Sequence, residues 1–562
     1  MTKGNNEEVV GNEGLDRRSF LKGTALGALG LASVGALSAC SPAKEQAAAP
    51  QEPEGQAPAA AEFKPEETFD TDVVVVGCGG AGFVAAINAA KNGAKVVCID
   101  KVESMGYQNG LFVSGPFAVD TPTLQNKEGG TTLEVDEVFY HVMNYTHWTP
   151  NPPLMKRCLQ ESKNAIAILS DVGYTFKEVN FRFETPFIGE KGGMHLILEP
   201  ANERAEMWNK AIEEAGIDMH FDTALVSLAT SDGAVTGVNA VQGGKNILIN
   251  AKAVILTSGG YLGNRDLQER FLHTRKLNVA AGGESFCTGD TIIAAENAGA
   301  ALEKTYGYCP CEYGGTHSKA SRPAKQDKYD QNYAFKFGLY GCLLVDAQGK
   351  RFINEGLLCD YPMSYGSEQI LKHSPWYAVV DQSYVDAMTT QGLYNYTTAK
   401  GATSENWFIG NYFKERILDK LPEDIEEGIA EGWCFKADTI EELADKLGLE
   451  NLPATVAEYN KFCEAGVDEQ FGASPWYLSP VKTGPFYVTE NEPSAWSTFG
   501  GIRIDDCCRA LTIDNEVIPG LFAAGTDAGS LYYSPYYDIP GFCYGLCIDS
   551  GYIASTEAVK AL

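Results

Sequence analysis

An α/β fold with a Rossmann-like first domain is what this sequence predicts, and three observations predict it. Asp72-Val73-Val74-Val75-Val76 carries four consecutive valines, the composition of a strand buried on both faces of a parallel sheet. Gly77, Gly79 and Gly82 follow in the spacing G-x-G-x-x-G, and Phe83 to Asn92 reads as an Ala-rich helix. A second apolar run, Lys95-Val96-Val97-Cys98-Ile99, then ends in Asp100. Strand, glycine turn, helix, strand and acid in this order make a βαβ unit that binds a dinucleotide. Gly77 permits the tight turn, Gly79 lets the backbone approach a pyrophosphate, and Gly82 lets helix and strand pack closely. Gly80 and Ala81 lie at the helix start, whose free N–H groups and positive dipole end suit phosphates. Asp100 is placed to accept from ribose hydroxyls.

Composition narrows the rest. The chain has 562 residues, enough for two or more domains with sizeable cores. Lys+Arg 44 against Asp+Glu 74 gives a net charge of -30, which argues against nucleic acid and against a basic membrane-binding face. An acidic surface is compatible with a basic redox partner.

At the N-terminus, Asp16-Arg17-Arg18-Ser19-Phe20-Leu21-Lys22 resembles a twin-arginine export signal. The apolar run Gly23 to Ala39 is too short and too Gly-rich for a membrane span. Leu37-Ser38-Ala39-Cys40 resembles a lipobox, which makes Cys40 the lipidated first residue after cleavage. Residues 1–39 are therefore expected to be a signal peptide. Residues 40–68, rich in Ala, Pro, Glu and Gln, are expected to be a lipidated Cys and a disordered linker. The expected location is the outer face of the cell membrane, reached by the twin-arginine route.

The remaining chain resembles the fumarate reductase/succinate dehydrogenase family of FAD flavoproteins. Beyond the glycine turn, Val254-Ile255-Leu256-Thr257-Ser258-Gly259-Gly260 resembles that family's second FAD-contacting strand. Thr288-Gly289-Asp290 with Asn297-Ala298-Gly299-Ala300 resembles its TGDG…AGA helix, and Gly349 to Glu355 its GKRFxNE hairpin. Pro519-Gly520-Leu521-Phe522-Ala523-Ala524-Gly525 resembles its closing strand. The resemblance implies an FAD-binding domain in two parts, 69–304 and 488–562, with an α+β capping domain, 305–487, inserted between them. It adds Gly106, Asn109, Ser114, Gly115, Leu225, Asp290, Thr526 and Gly541 to the expected FAD contacts. Within Gly106 to Gly115 the family's doubled glycines are interrupted by Tyr107 and Gln108. No histidine stands there for covalent attachment, so the expected FAD is non-covalent.

The resemblance also shows what is missing. Where the family has its proton-donating arginine this chain has Cys359, and Ser497 stands at a family histidine. The carboxylate-clamping arginine falls in a tyrosine-rich stretch. No His follows His373 and no Arg follows Arg509. A dicarboxylate clamp is therefore absent. Tyr532, Tyr533, Tyr536, Tyr537 and Phe542 take its place, offering apolar faces and hydroxyl donors; the alternative for them is core packing at a strand end. Tyr333, Cys359, Tyr532 and Tyr536 are the candidate catalytic residues. Among fifteen cysteines, Cys309, Cys311, Cys507, Cys508, Cys543 and Cys547 form clusters, none with ferredoxin or haem spacing; buried packing is their default role and a dispersed [4Fe–4S] cluster the alternative. No second dinucleotide motif serves NAD(P)H, so the electrons are expected from a membrane-bound c-type cytochrome.

The expected function is reduction of an activated C=C bond in a large neutral molecule, an enone or an unsaturated lactone of the cardiac-glycoside kind. Alternatives are a 3-ketosteroid dehydrogenase, a urocanate-type reductase of unsaturated acids, or, from another class, a flavin electron-carrier lipoprotein.

Overall fold

The computed structural model describes residues 63–125, 133–179, 193–274, 277–279, 283–320, 332–358, 364–392, 417–534, 536 and 538–562. The chain divides into two units, Met1–Glu62 and Phe63–Leu562, and all the described residues belong to the second. The expectations for the signal segment, for Cys40, for Cys359 and for Tyr537 lie outside the described residues. Among those residues no helix is long and apolar enough to cross a membrane.

Two sheets organise the second unit. The first has eight strands. Its parallel centre runs Val517–Ala523, Lys245–Leu256, Glu67–Val76, Val96–Ile99 and Asp218–His220 in spatial order. Val73, Val74, Val75 and Val76 pair with Val96, Val97, Cys98 and Ile99 on one side. On the other side Val74, Val75 and Val76 pair with Val254, Ile255 and Leu256. The four valines are at most 5% exposed, the double-sided burial their run predicts. The helix Gly80–Lys91 follows and packs against the C-terminal helix Phe542–Lys560.

Strand Lys245–Leu256 does two jobs along its length. Residues 245–250 pair antiparallel with Gly237–Gln242, while 254–256 pair parallel with Leu521–Ala523. The run Met219 to Val226 is shared between two strands. Asp218–His220 lies in the parallel sheet and Thr223–Ser231 in an antiparallel ribbon. Asp222 makes the break with φ +50°, a conformation Asp tolerates better than most residues.

The second sheet has six strands and is built on the long strand Phe486–Phe499, which pairs with Gly307–Thr316, Trp376–Asp381 and Cys434–Ala437. It has its own cores, one around Trp376, Trp433 and Phe337 and another around Tyr459, Leu443 and Leu452. Helix Ile440–Leu447 covers it, opened by a capping box in which Thr439 and Glu442 satisfy each other's backbone amides. The architecture is therefore a Rossmann-like α/β sheet carrying a second, α+β unit. Trp496, near the end of the long strand, packs against the cores of both.

Candidate functional site

The parallel strands end at a cavity lined by the glycine turn, the loop after Ile99, the end of Lys245–Leu256 and the start of the C-terminal helix. This is where ligands bind in open α/β sheets. Gly77 has φ +93°, and a side chain there would collide with the Thr257 carbonyl. A Cβ on Gly82 would overlap the Gly77 carbonyl oxygen, so helix and strand meet as closely as backbones allow. A Cβ on Gly79 would meet no atom within 4 Å, because that side of the turn faces open space. The turn thus forms a cradle for a group that comes flush against the backbone, and the helix N-terminus beside it suits a pyrophosphate.

Asp100 lines the cavity and accepts from the Cys78 amide at 3.0 Å and from Gln108 Nε2 at 3.4 Å. Burial pushes its carboxyl above the ordinary range, although those bonds pull it back. Asn109 Nδ2 donates to the Trp496 carbonyl at 2.6 Å, tying the loop to the second sheet's long strand. Arg204 fixes the same loop from behind, donating to the Leu111 and Val113 carbonyls at 2.9 and 2.7 Å. Asp290 opens the helix Asp290–Asn297 and pairs with Lys101 at 2.7 Å.

Most expected FAD contacts converge on this cavity. Gly77, Gly79, Gly80, Ala81, Asp100 and Asn109 line it, as do Ser114, Gly115, Leu225, Asp290, Thr526 and Gly541. Gly82 stands behind the turn, where its role is packing. Gly106 is not in the lining; its amide donates to Gln108 Oε1 at 2.9 Å and shapes the loop. The interrupting residues Tyr107 and Gln108 line the cavity instead.

The catalytic candidates separate. Tyr536 lines the cavity, 5% exposed, and its phenol oxygen accepts from the Cys543 amide at 3.4 Å. Tyr532 does not reach the cavity. It is 2% exposed, stacks on Phe499 with centroids 4.8 Å apart, and donates to the Cys543 carbonyl. Its place is core packing. Tyr333 also lies away from the lining. It packs against the second sheet's core, with its amide on Asp424. Ser497, in the family histidine's place, is in the lining.

Among the described residues the cysteines do not assemble a cluster. Cys309, Cys543 and Cys547 line the cavity, whereas Cys507 and Cys508 sit apart from it, and nothing is described of the Cys311 side chain. Among the described residues the one group with three candidate ligand atoms in reach of a common ion is Asp505, Asp506 and Cys507, an ill match for a four-thiolate cluster. Burial pushes the Cys547 and Cys508 thiols up, which suits packing.

Sequence reasoning missed Asp527. Fully buried, it accepts from the Ser258 and Gly260 amides at 2.5 and 2.8 Å and from the Thr291 hydroxyl at 2.8 Å. One carboxylate therefore braces the end of Lys245–Leu256 to the helix Asp290–Asn297, from a position beside Thr526 in the cavity wall. Burial still raises its carboxyl above the ordinary range. The available signal was an acid four residues past the end of the apolar strand Val517–Ala523.

The family described as "FAD binding domain" matches residues 72–541, and the chain belongs to it. It is an FAD-dependent oxidoreductase. It is 29% identical to the vinyl phenol reductase of Lactiplantibacillus plantarum, across 87% of this chain and 96% of that protein. It is 27% identical to the fumarate reductase (cytochrome) of Shewanella frigidimarina, covering 89% and 79%. The fold resembles that of 3-ketosteroid Δ1-dehydrogenase from Sterolibacterium denitrificans, with a TM-score of 0.66 at 17% identity, covering 88% and 100%.

Proposed function

We propose that the protein is an FAD-dependent reductase that saturates an activated C=C bond in a large neutral molecule, an enone or an unsaturated lactone such as a cardiac glycoside. One observation carries the reading: among the described residues lining the cavity the one Lys or Arg is Lys101, and its charge is taken by Asp290. No histidine is among those lining residues. A dianionic substrate would find no uncommitted cation there. Trp496, Tyr536 and Phe112 offer apolar area instead. The vinyl phenol reductase relative supports a neutral conjugated substrate, since a vinyl phenol is uncharged at neutral pH.

In this reading the Gly77–Gly82 turn and the adjoining helix N-terminus hold the pyrophosphate, and Asp100 accepts from the ribose. Bound FAD, when reduced, supplies the hydride. Tyr536 delivers the proton to the α-carbon, its oxygen held by the Cys543 amide at the start of the C-terminal helix. That amide and the helix dipole favour the phenolate left behind. The FAD is held non-covalently, and acid precipitation should release it into the supernatant.

Electrons come from a membrane-bound c-type cytochrome, a reading supported by the cytochrome-named fumarate reductase relative. The twin-arginine and lipobox segments support a location at the outer face of the membrane. Arg17→Lys with Arg18→Lys should keep the protein in the cytoplasm, and Cys40→Ser should release it from membranes. The experiment that tests the function is anaerobic mixing of the reduced protein with a bulky neutral enone and, separately, with fumarate. Rapid flavin reoxidation by the enone alone is expected. A flavin electron carrier would be reoxidised by neither.

A further inference from the structure

We propose that Tyr107 and Phe286 form an aromatic clasp at the cavity rim whose role is to retain bound FAD. Tyr107 comes off the loop after Ile99, and Phe286 ends the short turn Gly283–Phe286, 179 positions further along the chain. Their rings meet edge to face, with centroids 5.5 Å apart and planes at 75°. Both rings belong to the cavity lining. Phe286 is nevertheless 41% exposed, one of the large apolar side chains the fold leaves open to water. An apolar ring at the rim of a cavity becomes buried when the cavity fills.

The surroundings hold Tyr107 in place. Its hydroxyl donates to Glu103 at 2.7 Å. On its other side Gln108 bonds the Gly106 amide at 2.9 Å and Asp100 at 3.4 Å, so the loop is pinned to the acid expected on the ribose. Lys101, Asp290 and Cys287 share this part of the lining, which is where the dinucleotide's adenosine and pyrophosphate end should lie. Tyr536 and Trp496, the apolar residues assigned to substrate, belong to other segments of the wall. The clasp is thus a feature of cofactor retention. It depends on the FAD assignment and is independent of the substrate reading. It also gives the interruption of the glycine loop a physical role. A glycine at 107 would leave Phe286 with no ring to meet.

The test is the rate of FAD release from purified holoprotein after large dilution, read as the rise of free-flavin fluorescence. Tyr107→Gly and Phe286→Ala should each speed release roughly tenfold, the size expected for one aromatic pair plus its lost cover. The double variant should be no faster than about either single, since both remove the same contact. Tyr107→Phe keeps the ring and loses only the Glu103 bond, so it should release FAD more slowly than Tyr107→Gly. Release within twofold of wild type in both Tyr107→Gly and Phe286→Ala would overturn the proposal. So would unchanged release with a raised KM for the electron acceptor, which would assign the rings to substrate. Thermal melting of the FAD-free proteins separates loss of the clasp from loss of the fold.

Discussion

The Tyr536 oxygen sits at the N-terminus of the C-terminal helix, accepting the Cys543 amide at 3.4 Å, while Tyr532, one turn of sequence earlier, donates to the Cys543 carbonyl at 3.3 Å. The same peptide neighbourhood thus holds one phenol at the cavity and the other in the core. Tyr536 lines the cavity, where a bound molecule would meet its phenol, whereas Tyr532 donates into the core. Tyr536→Phe should lower kcat by roughly 10²–10⁴, the usual contribution of a positioned acid. FAD content should stay intact. Tyr532→Phe should change kcat by little and act on stability. Equal kcat losses in the two variants would count against the assignment.

The cradle is tested at Gly79, where an added side chain meets nothing in the protein itself. Gly79→Val should fold but occupy the space of the pyrophosphate, so the purified variant should be colourless. Gly82→Val is different, because a Cβ there overlaps the Gly77 carbonyl. It should fail as a folded protein. A yellow Gly79→Val protein with full flavin absorbance would place the cofactor elsewhere.

Asp527 gathers four donors from two distant segments: the Ser258 and Gly260 amides and the Ser258 and Thr291 hydroxyls. Asp527→Ala takes the acceptor from the Ser258 and Gly260 amides, while the Thr291 and Ser258 hydroxyls keep each other at 2.6 Å. A loss of roughly 2–5 kcal/mol in unfolding free energy is expected, together with weaker FAD retention. Asp527→Asn keeps one acceptor and should lose less. Denaturant titration of the three holoproteins gives the order directly.

Legibility in the chain differed from one of these residues to the next. The βαβ unit could be read because its determinants are contiguous: four valines, spaced glycines and an acid at the next strand's end. Asp527 could not, because what makes it important is Ser258, Gly260 and Thr291, brought to it only by the parallel pairing of strands. The tyrosine stretch was readable in composition and not in direction. Which ring faces the cavity depends on the path of its loop. That path is set by His141 on Asp538 at 3.0 Å and by the Tyr145 hydroxyl on the Tyr536 carbonyl at 3.1 Å, both reaching across from the helix Val135–Tyr145. Tyr333 was misplaced for a related reason. Its neighbourhood in sequence adjoins the GKRF hairpin, but its segment folds into the second sheet's core.

That hairpin supplies a pH-dependent prediction. Arg351 is buried between Glu355 and Asp468, with bidentate bonds of 2.7 and 2.8 Å to Asp468. Burial pushes the Asp468 carboxyl up, but Arg351 and the Ala473 amide outweigh it and hold the group at about 2, below the ordinary 3.8. A depressed folded-state value means stability that is complete above about pH 4 and lost as pH falls through about 2. Glu355 goes the other way, since burial raises it. Asp468→Asn should cost roughly 3–5 kcal/mol at pH 7 by stranding part of a buried ion network. It should also flatten the loss of stability between about pH 4 and 2 in urea unfolding. An unchanged acid limb would remove Asp468 from the account.

Substrate charge is the sharpest test of function. A fumarate dianion packed beside Trp496, Ser497 and Tyr536 would find no uncommitted cation among the described lining residues, since Lys101 is already paired with Asp290 at 2.7 Å. An unpaired carboxylate costs several kcal/mol to desolvate, and about 4 kcal/mol is already roughly a thousandfold in affinity. A neutral enone or unsaturated lactone meets no such penalty and can pack on Tyr536 and Trp496. Fumarate should therefore turn over negligibly with a dye as electron donor, while a bulky neutral enone should be reduced. Tyr536→Ala should weaken that neutral substrate with FAD content unchanged. Introducing a cation by Ser497→Arg, at a lining position where the resembling family carries a histidine, should raise fumarate turnover above the wild-type background and lower that of the neutral compound. Efficient fumarate reduction by the wild type would sink the reading, because it requires an uncommitted cation that the described lining of the cavity does not contain.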